Sequence, residues 1–298
     1  MNYCLLLFSD VHADIEALDA LLSIAGSSDF AAHYGPISKT INLGDTLQRG
    51  YHPCEVVRRL KDVKNLVSVL GNHDESFLYH LSLLGNDRHS IRVHDSYFAT
   101  DEYQGFFQGI GRTHVDMENK LYAVHGGPID PAAIPAKEKT IDDEWIYSQT
   151  WQRISVIGES FIDYAGYNYL PSQAFDAVKS ALGSDGFVIA CGHNHKEAAF
   201  VQKNGEVEDV LNKLDSEEIS LNGHKIKEKR LPINDDTNYL VRLGIAGPEG
   251  FLQYGWDTCY FGVLAEKDGA KTFYLLSFEM GRKKEEEIRR PQTQYYEC

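Results

Sequence analysis

The 298-residue sequence predicts a single α/β domain, and three observations carry that expectation. Through the first half, short apolar runs alternate with amphipathic stretches, as strands joined by helices around a largely parallel sheet would. The second half turns to β-rich segments separated by Gly and Asp turns. No internal repeat or low-complexity linker divides the chain, and 43 % hydrophobic residues can bury a substantial core.

In chain order, the apolar run Tyr3 to Phe8 predicts a buried strand. Asp14 can cap a following helix, because Ile15, Leu18, Leu21, Leu22 and Ala25 share one face at helical spacing. Thr40 to Leu43 predicts a second strand, and Pro53 suits the first turn of a helix through Val56, Val57 and Leu60. A third strand is expected at Asn65 to Leu70, then a helix from Glu75 to Leu84. Lys120 to Val124 and Phe187 to Cys191 read as further strands, the latter preceded by a helix from about Ser172 to Leu182. Ala198 to Gln202, Tyr239 to Leu243, Tyr260 to Ala265 and Thr272 to Phe278 complete the strands. The polar, charged stretch 203–236 reads as an insertion or hairpin extension with little bearing on chemistry, and 281–298 as a mixed-charge tail. Residues 129–169, rich in aromatics and acids, are expected to form a cap with its own small core, or a wall of a substrate cleft.

A formal charge of −15 argues against a nucleic-acid or anionic-membrane surface, since both want clustered Lys and Arg. Five cysteines, at 4, 54, 191, 259 and 298, are odd in number and show no metal or redox spacing, which fits a reducing, cytoplasmic compartment. Tyr3 to Phe8 lacks a basic leader and is too short to span a bilayer.

Chemistry concentrates in five short motifs, each following an expected strand: Asp10-Val-His12, Gly44-Asp45, Gly71-Asn-His-Asp74, His125-Gly-Gly127 and Gly192-His-Asn-His195. Loops beyond the carboxyl ends of strands in an open α/β sheet converge on one crevice. Taken singly, each motif has an ordinary explanation as a turn or helix cap. Together they gather oxygen and imidazole donors that suit Mn, Fe or Zn, and the absence of Cys argues against a structural zinc cluster.

In this order the motifs closely resemble those of the calcineurin-like metallophosphoesterase superfamily, over most of the chain from Asp10 to about Phe278. The resemblance implies a four-layered α/β/β/α sandwich with two mixed sheets and a binuclear metal site along one edge. It implies that Asp10, His12 and His195 hold one metal, that Asn72, His125 and His193 hold the other, and that Asp45 bridges them. Two cations about 3.5–4 Å apart can clamp a phosphate and acidify a bridging water, and an anion such as Asp45 is needed between them. His73 directly follows Asn72, so it would face the same site as general acid to a leaving alkoxide.

Gly44-Asp-Thr-Leu-Gln-Arg-Gly50, continuing through Pro53 and Glu55-Val-Val57, resembles the protein serine/threonine phosphatases and bacterial symmetrical diadenosine tetraphosphatases. By that match Arg49 binds the substrate phosphate, for which a planar guanidinium is suited. That subgroup has Asp where this chain has Gln48, and Gln can orient a histidine but brings no charge. The pair His193 and His195, and Gly244-Ile-Ala-Gly247, look more like the phosphodiesterase-type bacterial branch. The expected activity is hydrolysis of a phosphate ester in a small molecule, a phosphoprotein or a dinucleoside polyphosphate, with a phosphodiesterase, a nuclease or a protein-interaction scaffold as alternatives.

Overall fold

The computed structural model describes residues 2–81, 83, 88–96, 101–134, 144–156 and 168–282. Two mixed sheets lie face to face. The first has seven strands in the order β11 (Asp215–Leu221), β12 (His224–Ile233), β15 (Ala270–Glu279), β14 (Thr258–Lys267), β1 (Tyr3–Phe8), β2 (Ile37–Asn42) and β3 (Leu66–Ser68). The second has six: β10 (Glu206–Asp209), β9 (Ala198–Lys203), β13 (Asn238–Arg242), β8 (Val188–Cys191), β5 (Leu121–Val124) and β4 (Thr113–Asp116). In the first sheet β1, β2 and β3 run parallel, and in the second β5, β8 and β13 do; antiparallel strands flank both trios. A separate parallel pair joins β6 (Arg153–Ile154) to β7 (Asn168–Tyr169).

Strand alternation builds the layers. Leu5 and Leu7 of β1 meet Leu121, Val188 and Val241 in the core between the sheets, while Cys4, Leu6 and Phe8 face the helical side. There they pack on α1 (Ile15–Ala25), α2 (Ser28–Tyr34) and α3 (Pro53–Lys61). The outer face of the second sheet packs on the helix Pro171–Leu182 through Ala174, Phe175 and Val178. The result is the expected α/β/β/α sandwich. Helix α1 begins where the apolar stripe does, because the Asp14 carboxylate accepts the Ala17 N–H at 3.0 Å. Its Leu18, Leu21 and Ile24 are fully buried, each stabilising the fold by roughly 1.5–3 kcal/mol.

Two expectations are corrected in detail. The helix expected from Glu75 is α4 (Asn72–Leu78), which starts three residues earlier because Gly71 caps it and Asp74 Oδ2 accepts the Gly71 N–H at 3.0 Å. The charged segment 203–236, expected as an insertion or hairpin extension with little bearing on chemistry, is built into the sheets: β12 pairs along β15, and Leu221, Ile226 and Leu231 are buried in the core. Within it β11 and β12 are antiparallel neighbours. Among the described residues of 129–169, Ile134, Ile146 and Tyr147 form a small separate core backed by Ile129 and Trp151. The rest of that expected cap, residues 135–143 and 157–167, and the tail beyond residue 282 lie outside the described residues.

Candidate metal centre

All five motifs sit at carboxyl ends of strands, and backbone hydrogen bonds tie their loops together. The Asp10 N–H donates to the Gly44 carbonyl at 2.9 Å, the His12 N–H to the Asp45 carbonyl at 2.9 Å, and the Gly192 N–H to the His125 carbonyl at 2.8 Å. Asp10, His12, Asp45, His193 and His195 all adopt left-handed backbone, with φ of 57°, 47°, 55°, 71° and 60°. Such conformations are uncommon for residues other than glycine and cluster where function over-determines the backbone. Gly71 and Gly192 are required by the same crowding. A Cβ at Gly71 would lie 2.1 Å from Asp45 Oδ1, and one at Gly192 would lie 1.8 Å from Ser9 Oγ.

The side chains converge as two groups of potential ligand atoms, each mutually within 4.8 Å: Asp10, His12, Asp45 and His195, and Asp45, His125 and His193. Asp45 is common to both. Its Oδ2 lies 3.1 Å from His125 Nε2 and 3.9 Å from His12 Nε2. Asn72 Oδ1 joins the second group, 3.2 Å from His125 Nε2.

The donor set fits cations. His125 Nδ1 lies 2.8 Å from the Leu43 carbonyl, where it can only donate, which leaves Nε2 a lone pair in the neutral ring. That lone pair then faces two acceptors, Asp45 Oδ2 and Asn72 Oδ1, an arrangement that a positive charge between them would relieve. Likewise His12 Nε2 lies 3.0 Å from His195 Nε2, while His12 Nδ1 is 3.3 Å from the Leu47 carbonyl. Among the described residues His193 Nε2 is buried without a hydrogen-bond partner, and Asp10 Oδ1, also buried, faces His195 Nε2 at 3.3 Å.

Electrostatics say the same. Burial opposes ionisation of Asp45, yet His125, His73 and His12 hold its carboxyl well below the usual range. Asp10 is held low by His195 and His125 against burial. Burial, with His195 second, pushes the His12 imidazole down to about 3, and burial with Arg153 and His125 holds His193 well below its ordinary value. Against burial, Asp45 and Asp10 raise His125 to about 9, so in the absence of a cation a proton is drawn to the space between this ring and the shared carboxylate.

His73 stands beside this centre, not in either ligand group. Its Nδ1 contacts Gln48 Oε1, its Nε2 lies 3.8 Å from Asp45 Oδ2, and its backbone N–H donates to Asp45 Oδ1 at 2.9 Å. Burial lowers its pKa to about 4, with Asp45 opposing and Arg49 reinforcing the shift. Arg49 is therefore electrostatically close. It has φ of 80°, its N–H donates to Ser90 Oγ at 3.2 Å, and Gly250 packs against its backbone.

Several contributors were not singled out by motif. Asp74 is fully buried and organises the Asp45 loop, accepting the Thr46 N–H at 2.8 Å and the Leu47 N–H at 3.3 Å. Burial and the Asp45 charge raise its pKa to about 7. Aromatic walls flank the centre on two sides. Phe251 lies 4.8 Å from the His195 ring and 5.5 Å from that of His12, and Trp151 lies 6.1 Å from His193. The last letter of the Gly-Asn-His-Asp motif was the one available signal for Asp74; Trp151 belongs to the aromatic segment 129–169 expected as a cleft wall, whereas nothing marked Phe251.

The calcineurin-like phosphoesterase family profile matches residues 5–224, most of the chain and all seven ligand candidates. The chain belongs to the calcineurin-like phosphoesterase family. The family implies a hydrolase that uses divalent metals. Among solved structures, the chain is similar to a metallophosphoesterase from Sphaerobacter thermophilus, at 18 % identity and a TM-score of 0.56 over 94 % of this chain and 89 % of that one. It is also similar to a hypothetical protein from Pyrococcus horikoshii OT3, at 12 % identity and a TM-score of 0.51 over 96 % and 91 % of the two chains. At these identities the likeness speaks for the fold alone. No curated protein matches the chain in sequence. Among the described residues no helix is long and apolar enough to cross a membrane.

Proposed function

We propose that the protein is a phosphoesterase that works with two divalent transition-metal ions, Mn, Fe or Zn, and uses His73 as general acid. The observation that carries this reading is Asp45, whose carboxylate belongs to both ligand groups at once. Asp10, His12 and His195 would hold one ion, Asn72, His125 and His193 the other, and Asp45 would join them. When bound, such a pair neutralises the charge of a phosphate and lowers the pKa of water enough to provide hydroxide near neutral pH.

The chain's own residues supply the rest. Arg49, whose charge acts on His73, would hold phosphate oxygens with a planar fork of donors. Gln48 fixes the His73 ring through Nδ1, leaving Nε2 directed to the Asp45 side, where a leaving oxygen would take its proton. In the resting chain His73 is depressed by burial and by Arg49; a phosphate dianion would offset the Arg49 contribution and favour the imidazolium. The substrate would be a phosphorylated small molecule, a nucleotide or a phosphoprotein.

The experiment is a panel assay of the manganese-loaded protein on 4-nitrophenyl phosphate, its phosphodiester analogue, a phosphopeptide and diadenosine tetraphosphate, with and without chelator. Chelator-sensitive turnover of at least one ester is expected. Full activity in a strong chelator, or no turnover of any of the four, contradicts the reading.

A further inference from the structure

Directly beside His195 lies a cleft of about 240 Å³ whose walls come from two distant stretches of chain. One wall is Trp256, edge-on to the His195 ring at 6.0 Å and supported from behind by Phe251, with which it stacks at 5.4 Å and 20°. The floor is Ile245 with the Tyr260 ring, which lies so close to Gly244 that a Cβ there would come within 2.6 Å of it. Backbone bonds from the Ile245 N–H to the His195 carbonyl (3.3 Å) and from the Tyr260 N–H to the Ile245 carbonyl (2.9 Å) tie this floor to the candidate metal centre. At the rim, Lys196 is exposed and makes no ion pair among the described residues, although the protein carries a net charge of −15.

We infer that this cleft binds the nucleoside of a nucleotide substrate whose phosphate sits at the metal centre, an inference that rests on the phosphoesterase reading above. Three features converge on that chemistry. The flat face of a braced Trp, opposite an aliphatic and aromatic floor, accepts a planar ring by stacking. An unpaired ammonium at the mouth attracts the anion that accompanies the ring. A volume below the about 300–1,000 Å³ of drug-sized sites suits one ring system and excludes a folded protein loop. His195 belongs both to a ligand group and to the cleft lining, so the cleft adjoins the place where the phosphate would sit.

The test is calorimetric binding of AMP, ribose 5-phosphate, phenyl phosphate and inorganic phosphate to the manganese-loaded, full-length His73→Asn protein, which slows turnover during the titration. AMP is expected to bind at least about tenfold more tightly than ribose 5-phosphate, the gain of one stacked base. Trp256→Ala should abolish that ratio and Trp256→Phe restore part of it, with inorganic phosphate measured on each variant to normalise for metal occupancy. Lys196→Met, a surface change that does not threaten folding, should weaken AMP and flatten its salt dependence. Equal affinity for AMP and ribose 5-phosphate overturns the assignment, as does phenyl phosphate binding as tightly as AMP. Inorganic phosphate separates the two failures. If phosphate binds but AMP gains nothing, only the cleft assignment falls; if no phosphate compound binds the loaded protein, the phosphoesterase reading falls and takes the cleft with it.

Discussion

Replacing His73 by Asn separates proton transfer from metal binding, because the two depend on different atoms of one residue. The backbone N–H of residue 73 donates to Asp45 Oδ1 at 2.9 Å whatever the side chain. The ring contacts Gln48, packs T-shaped against the His12 ring at 5.2 Å and approaches Asp45 at 3.8 Å, without entering either ligand group. His73→Asn should therefore keep its metal while losing its proton donor. A lost general acid lowers kcat by about 10²–10⁴, or roughly 3–5 kcal/mol of transition-state stabilisation. That full loss is expected for an alkyl phosphate, whose alkoxide must be protonated as it leaves. A 4-nitrophenyl ester departs as a stable anion, so its deficit should be less than about tenfold. The assay is kcat for both esters on wild type and variant, with metal content measured on the same samples. Equal deficits for the two leaving groups, or a variant that has lost its metal, would refute the assignment of His73 as acid.

Gln48→Asp should move the basic limb of the kcat–pH profile upward, most visibly for alkyl esters. A carboxylate beside the imidazole favours its charged form and raises the depressed His73 pKa, so the acid persists to higher pH; an unmoved limb would mean that His73 does not depend on position 48 for its charge. Gly71→Ala should fold but bind metal poorly, since its Cβ would fall 2.1 Å from Asp45 Oδ1 and 2.2 Å from the Asp45 backbone nitrogen. Circular dichroism with elemental analysis checks this, and wild-type metal content would contradict it.

Much of the architecture was legible because local signals and tertiary placement agreed. The run Tyr3 to Phe8 is β1, buried from its second residue onward, and Asp14 both caps α1 and ends the ligand loop. The ligands were legible for a related reason: each follows a strand whose apolar run announces it. Where reading failed, one residue served two demands. Asn72 looked like part of a turn, but Gly71 and Asp74 make it the first residue of α4. In segment 203–236 the charges pair across the β11–β12 ladder, as Glu218 does with Lys225 at 3.2 Å, while Leu221 and Ile226 join the helical-side core and Leu231 the core between the sheets. With so few apolar residues, divided between two cores, the hairpin does not stand out in composition. Phe251 and Trp256 carried no signal at all, because a 3₁₀ turn from Glu249 to Tyr254 far along the chain brings them to His195.

The central claim is that one carboxylate joins two ion sites, and metal counting on wild type and Asp45→Asn tests it most directly. Wild type grown with added manganese should carry close to two ions per chain. Removing the shared charge should weaken both sites together, whereas His195→Ala should weaken mainly the site it shares with Asp10 and His12. Elemental analysis giving about two ions for wild type, about one for His195→Ala and far fewer for Asp45→Asn is the expected result. Less than half an ion in wild type, or an Asp45→Asn protein that still holds two, would contradict it.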